Sequence, residues 1–251
     1  MQNPIIIKNH CISDEHVSIC VPVVSRTRDD ILRDISDYVS KGAYFIEFRA
    51  DYYENLGDKQ ALCMLLADIS AICTDTIVLF TIRSKAEGGE CELPYSKIAE
   101  ILTWATESGH IDMVDLEMYQ FEKPSQMIEN FKARGVVVVA SHHNFQITYS
   151  IEKTRAILQE MHDAGADIAK IAMMPNSLKD TLHTLEALTD FKANNAGAFA
   201  VAISMGQFGM ASRLCGGIFG SCITFSPIKA SSAPGQVDFE SMQSVLNIIE
   251  R

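Results

Sequence analysis

Short apolar, β-branched runs recur along the chain at 17–24, 43–50, 76–83, 111–118, 136–142, 166–173, 198–204 and 218–225. Runs of this length bounded by polar breaks read as buried strands. Between them apolar residues fall at helical spacing, most clearly over 28–40, 59–72, 96–108, 150–163 and 177–190. Ser96, Ser125, Ser150 and Ser177 stand where N-caps belong. Gly109, Gly135, Gly165 and Gly197 precede strands four to seven, where a helix-to-strand turn needs a residue tolerant of positive φ. Eight strands alternating with eight helices, at roughly 31 residues per unit, is the arithmetic of a (β/α)8 TIM barrel. The expectation is one α/β domain over 1–251. An open doubly wound sheet would want a glycine-rich phosphate loop after its first strand, and VPVVSRTRDD supplies none. The first 14 residues precede strand one and are expected to form a small β-hairpin closing the barrel floor.

Barrel strands alternate inward and outward, and chemistry gathers at their C-terminal ends. By parity Glu47, Arg49 and Asp51 share a face on strand two, Thr81 and Arg83 on strand three, and Asp115 and Glu117 on strand four. Ser141 and His143 share a face on strand five, so His142 points away; Ile168, Lys170 and Ala172 share one on strand six. Any one of these strands also reads as a solvated face. Five in succession, each polar near the same end, read better as a site, because buried ionised groups cost several kcal/mol unless paired. Lys170 lies inside an apolar strand. It is either a lysine snorkelling at a strand end or an amine kept neutral by desolvation and by Arg49 and Arg83. A neutral amine can condense with a ketone. His143 is the candidate proton shuttle. Gly88-Gly89 suggests a loop that approaches a ligand closely, and Arg213, on a short helix after Gly206-Gln207-Phe208-Gly209, suits a carboxylate. The small-residue stretch 226–236 is a candidate lid or a mobile surface loop.

Composition narrows the function. Hydrophobic residues make up 47% and charged residues 21%, as in an ordinary globular protein. Lys plus Arg is 21 against 32 for Asp plus Glu, a net charge of −11, which argues against nucleic-acid binding and docking to anionic lipid. The seven cysteines form no CxxC pair and are odd in number, so reduced thiols in a cytoplasmic protein are the simplest expectation, without a disulfide framework or structural zinc. Neither a signal peptide nor a membrane span is expected: MQNPIIIKNH has no long apolar core, and the uncharged stretches 193–212 and 214–228 are broken by Gly, Asn, Gln or Ser.

The segments EFRAD (47–51), TIRSKAEGG (81–89), VDLE (114–117), ASHHNF (140–145), KIAMMPNS (170–177), SMGQFGMASR (204–213), FGSCITF (219–225) and SSAPGQ (231–236), in this order, resemble type I 3-dehydroquinate dehydratase, over about residues 17 to 240. The resemblance implies a metal-free Schiff-base lyase of the shikimate pathway, without a cofactor, that converts 3-dehydroquinate to 3-dehydroshikimate by syn elimination and is usually a homodimer. It assigns Lys170 as the imine-forming lysine, His143 as the acid and base, and Glu87 as the carboxylate that helps organise His143 and the substrate. It assigns Glu47, Arg49, Arg83, Met205, Arg213, Phe225, Ser232, Ala233 and Gln236 to the substrate pocket, with Arg213 and Gln236 around the substrate carboxylate. Asp115 is implied as a supporting partner of the histidine. Asn144 departs from the aspartate usual after the histidine and removes a negative charge there.

Three other readings share parts of this pattern. A Schiff-base aldolase would use the same lysine, but Arg213 and SSAPGQ favour a small carboxylate over a sugar phosphate. A metal-dependent hydrolase would want His-x-His on strand one, and VPVVS has no histidine. A barrel that only binds a ligand would have little need of a lysine, histidine and glutamate together.

Overall fold

The computed structural model describes residues 4–249. An antiparallel hairpin, β1 (Ile5–Ile7) and β2 (His10–Ile12), precedes eight parallel strands: β3 (Ser18–Val23), β4 (Phe45–Arg49), β5 (Ile77–Thr81), β6 (Met113–Glu117), β7 (Val137–Asn144), β8 (Ile168–Met173), β9 (Phe199–Ser204) and β10 (Ile223–Phe225). The helices that follow these eight strands in turn are α1 (Arg28–Ser40), α2 (Lys59–Ile72), α3 (Tyr95–Glu107), α4 (Pro124–Lys132), α5 (Ile151–Asp163), α6 (Leu178–Asn194), α7 (Met210–Leu214) and α8 (Phe239–Ile249). The strands pair in the order β10-β3-β4-β5-β6-β7-β8-β9. Ser221 bridges Ala200, and Cys222 N–H donates to Ala200 O at 3.0 Å, which closes the ring between β10 and β9. The fold is the expected (β/α)8 barrel.

Two apolar layers follow from the period-two alternation. Outward residues such as Ile46, Phe48, Val78, Phe80, Val114 and Leu116 pack on the helices. Inward residues Phe45, Ile77, Leu79, Met113, Val139, Ile168, Phe199 and Val201 fill the lower half of the barrel. Ile7 and Ile12 of the hairpin join that inner cluster, so the hairpin does cap the floor. Its turn is tied down by Lys8 Nζ, which donates to Cys73 O, Thr76 O and Asp112 Oδ2 at 2.6–2.9 Å. Two residues further along each strand, the same inward parity turns polar: Glu47 and Arg49 follow Phe45, and Asp115 and Glu117 follow Met113.

Local signals fared unevenly. Ser150 and Ser177 cap α5 and α6 through their side chains, and Ser177 completes a capping box with Asp180. Ser96 and Ser125 do not cap: each lies within a first turn, because α3 begins at Tyr95 after Pro94 and α4 begins at Pro124, whose ring presets the helical φ. Gly109, Gly135, Gly165 and Gly197 all adopt positive φ. The last strand is shorter than its apolar run suggested. Residues Gly216–Phe219 form a 3-10 turn, and Gly220 at φ +104 redirects the chain into Ile223–Phe225. Among the described residues no helix is long and apolar enough to cross a membrane.

Candidate active site

The polar ends of the strands surround a cavity at the C-terminal mouth of the barrel, with about 470 Å³ of space that is open to solvent. Lys170 is at its base, one inward position above Ile168 on β8. Its side chain is 5% exposed, Nζ lies 3.1 Å from Asp115 Oδ2, and the ring centroid of Phe225 is 4.3 Å away. Asp115 enters from β6 and is shared: Arg83 Nη2 lies 2.8 Å from Oδ1, and Ser141 Oγ donates to Oδ1 at 2.6 Å. The structure adds to the sequence expectation in one respect, while His143 still acts electrostatically on Asp115. Asp115 hydrogen-bonds Lys170 and Ser141 and pairs with Arg83, whereas the hydrogen bond to the histidine comes from Glu87. Strand register accounts for it, since Asp115 is level with β7 Val139 and lies below His143. The lysine thus meets a carboxylate, which it shares with Arg83, one of the two arginines expected near it.

Arg83 joins the carboxylates. Besides Asp115 it reaches Glu117 Oε1 at 3.1 Å, Ser141 Oγ at 3.0 Å and Glu87 Oε2 at 3.6 Å. Burial alone would lower an arginine's pKa, but these carboxylates raise it. Burial would likewise raise Asp115, and Arg83 and Lys170 outweigh it, holding the carboxyl well below the usual range. On β4, Arg49 forms a bidentate pair with Asp51 at 2.8 Å, and Glu47 accepts from Thr81 Oγ1 at 2.9 Å.

Glu87 sits in a 3-10 turn, Lys85–Glu87, that ends in Gly88 at φ +82. The positive φ of Gly88 favours glycine, and a Cβ there would lie 2.2 Å from the exposed Phe145 ring, which would have to turn aside. Glu87 Oε2 accepts from His143 Nδ1 at 2.9 Å and from His143 N–H at 3.0 Å. Oε1 receives His142 Nδ1 at 3.1 Å and Gln120 Nε2 at 3.3 Å. Burial opposes ionisation of Glu87, but the two imidazoles and Arg83 hold its pKa far below the ordinary value. His143 is pushed down to about 3 by burial, with Arg83 adding to the effect and Glu87 opposing it. The resting ring is neutral, with its proton on Nδ1 toward Glu87. Nε2 has no protein partner among the described residues, and His143 lines the cavity. His142 does face away, into a separate pocket with Tyr119 and Tyr149.

Arg213, in α7, closes the far side. It is 3% exposed, and its one side-chain hydrogen bond goes from Nη2 to Pro234 O at 3.1 Å. Its buried Nε has no partner, and burial lowers its pKa to about 10. The other buried cations of the mouth each face a carboxylate; Arg213 faces the cavity without one. The loop 226–238 crosses above. Gly206 N–H donates to Pro234 O at 3.1 Å, and Gln236 is tied to Ser232 through Nε2 to Oγ at 3.1 Å and Ser232 N–H to Oε1 at 3.0 Å.

Every catalytic and substrate residue named from the sequence lines this cavity, including Met205, Phe225 and Ala233. Asp115 stands directly behind it. Ala172, Ile203 and Phe145 also line the cavity but were not named for it. Parity could have found them, two residues from Lys170, Met205 and His143 respectively. Among the described residues no group of three or more His, Cys, Asp or Glu side chains is arranged to hold a metal ion.

A family model described as Type I 3-dehydroquinase matches residues 19–251. The 3-dehydroquinate dehydratase of Klebsiella pneumoniae (strain 342) is 35% identical over 250 residues, covering 99% of this chain and 100% of that one. The crystal structure of 3-dehydroquinate dehydratase from Geobacillus kaustophilus HTA426 superposes with a TM-score of 0.95 at 31% identity, covering 99% of this chain and 96% of that one. The type I 3-dehydroquinate dehydratase of Clostridium difficile, solved with covalent modified comenic acid, gives 0.95 at 33%, covering 100% and 99%.

Proposed function

Because this chain belongs to the type I 3-dehydroquinase family, we propose that its barrel mouth dehydrates 3-dehydroquinate to 3-dehydroshikimate through an imine on Lys170, with His143 as acid and base. The enzyme is a carbon–oxygen hydro-lyase. The observation that carries the residue assignment is a buried amine and a neutral imidazole lining one cavity, with Asp115 fixing the first and Glu87 the second.

The steps follow from those positions. Lys170 reacts as the free amine once a proton has passed from it to His143 Nε2; Asp115 stays ionised and does not take that proton. The amine adds to the C3 ketone. His143 returns a proton to the carbinolamine oxygen, which leaves as water and yields a protonated imine. That cation is an electron sink, so the C2–H becomes acidic and His143 removes it, a contribution of about 10²–10⁴ for a positioned base. The resulting enamine expels the C1 hydroxyl, which departs as water with the proton from His143. A final water hydrolyses the imine and frees Lys170. One base serving both the C2 proton and the C1 hydroxyl gives syn elimination. Arg213 holds the substrate carboxylate, supported by Gln236, with Ser232 and Ala233 closing over it. Glu47, Arg49 and Arg83 bind the hydroxyl side of the ring, with Met205 and Phe225 as its apolar walls.

The described cysteines are free thiols, and burial pushes Cys73 and Cys222 up to about 12, which suits the reducing cytoplasm we assign to the protein. A homodimer belongs to the same proposal through the family resemblance. The test is reduction by borohydride during turnover, followed by peptide mass analysis. The expected result is ligand mass on Lys170 and none on Lys170→Ala, whose rise in enone absorbance is abolished. An unmodified Lys170 in a working enzyme would refute the imine.

A further inference from the structure

Glu87 is held from behind by a chain of hydrogen bonds that runs away from the cavity to Asn144, and each link has a direction. Asn144 Oδ1 accepts from the backbone N–H of Gln146 at 2.9 Å and of Ile147 at 3.1 Å. The other end of the amide, Nδ2, therefore faces Tyr149 Oη, 2.8 Å away. An amide nitrogen only donates. The phenol accepts from it and has its own proton for His142 Nε2, 3.1 Å away. His142 Nδ1 then carries the ring proton and gives it to Glu87 Oε1 at 3.1 Å. An ionised carboxylate only accepts, so this is the one arrangement in which His142 is neutral and every link is satisfied.

We infer that Asn144 is a positioning residue for proton transfer: acting through Tyr149 and His142, its amide fixes His142 as a neutral donor to Glu87 and so keeps Glu87 a full acceptor for His143. The inference rests on the reading of His143 as acid and base. A carboxylate at position 144 would invert the chain. One oxygen would keep the two backbone N–H groups, and the other could only accept, so it would take the Tyr149 proton. Tyr149 Oη would then need a donor from His142 Nε2. With Nδ1 still donating to Glu87, the ring would hold two protons and become a cation. Glu87 would then be drawn toward a charged donor on Oε1, and His143 would lose basicity at Nε2.

The remaining charged and titratable groups around His142 come from three elements. Tyr119 meets the ring edge-on at 5.1 Å, and its hydroxyl is bound to Glu160. Lys153 lies 4.0 Å from the Tyr149 ring centroid, and Arg83 lies 3.6 Å from Glu87. Lys153 and Arg83 bring positive charge to the surroundings of the ring and Glu160 brings negative charge. All are unchanged by a substitution at 144, so the comparison isolates the chain's direction.

The experiment records the ring-nitrogen spectrum of the full-length protein labelled with ¹⁵N-histidine at neutral pH, with His142 identified by its absence from His142→Gln. The expected native spectrum shows one protonated and one unprotonated nitrogen on His142. Asn144→Asp should show both protonated, and the double variant Asn144→Asp/Tyr149→Phe should return to one, because the hydroxyl that relays the reversal is gone. The kcat of Asn144→Asp should acquire a new ionisation and fall by roughly tenfold on its acid side, a part of what a positioned base contributes. A native His142 with both nitrogens protonated overturns the inference, whether or not the variants fold. So does an unchanged spectrum in Asn144→Asp, or a doubly protonated ring that persists in the double variant. The spectra require no turnover and borohydride trapping requires no intact chain, so failure of either reading is distinguishable from failure of the other.

Discussion

Replacing Glu87 with glutamine changes one oxygen to an NH₂ group and little else in shape, yet the geometry leaves that group nowhere favourable to go. Both carboxylate oxygens are occupied by donors: His143 Nδ1 and its backbone N–H on Oε2, and His142 Nδ1 and Gln120 Nε2 on Oε1. The backbone N–H of His143 cannot change its polarity, so the new amide nitrogen must turn toward His142 and Gln120. Two donors then oppose it, and the remaining carbonyl is a neutral acceptor for His143. Hydrogen bonds to a charged group contribute about 1.5–3 kcal/mol each, and an opposed buried donor costs about 1–3 kcal/mol. If roughly 3–4 kcal/mol of this appears in the transition state, kcat falls by about 10²–10³. Glu87 borders the cavity as well as holding His143, so the diagnostic loss is the one in kcat, whatever KM does. The assay is the initial rate of enone absorbance across a substrate series, with borohydride trapping in parallel. Glu87→Gln should still form some imine on Lys170 while turnover falls. A kcat within about threefold of the native value would refute the argument that the Glu87 charge orients and tunes His143.

Three further outcomes are expected. Arg213→Gln should lower kcat/KM by about 10- to 150-fold, from loss of charge-assisted bonds to the substrate carboxylate worth about 1.5–3 kcal/mol. Its Tm should hold or rise, because an unpaired buried cation is removed; a large fall in Tm would show that the arginine is structural. Gly235→Ala should raise KM several-fold in substrate titrations, since Gly235 has φ +75 and a Cβ there would lie 2.3 Å from Gly206 O, lifting the loop that carries Ser232 and Gln236; unchanged KM would separate that loop from binding. His143 has a folded pKa depressed from 6.5 to about 3, so its stabilising contribution is present above 6.5 and lost as pH falls toward 3. Chemical denaturation at stepped pH should show that loss, attenuated in His143→Gln, and the acid limb of kcat/KM should lie below 6.5.

The barrel was legible because a single rule, period-two alternation, repeats eight times, and the same rule aligned Glu47, Arg83, Asp115, Ser141 and Lys170 on one inner surface. Where parity was the whole question, the sequence answered it. Where two side chains compete for one partner, it did not. Asp115 was expected beside the histidine, but strand stagger sets it lower, against Lys170, and stagger is fixed by closure of the whole ring and not by any local segment. The two missed caps show the same limit at short range, since Pro94 and Pro124 set the starts of their helices more firmly than a nearby serine could. The shortened last strand follows from Gly216, Gly217 and Gly220, which let the chain turn before it can pair. The bond between Asn144 and Tyr149 spans only five residues, but its meaning depends on proton direction, which no spacing encodes.

Asp115 is the counter-ion for whatever nitrogen stands at the base of the cavity. An ammonium and a protonated imine both carry one positive charge on that atom, so the covalent intermediate proposed for Lys170 would inherit a partner already in place. On that proposal the surroundings would need no rearrangement to accommodate it, and condensation would be relieved of solvent reorganisation that the same step would incur in water.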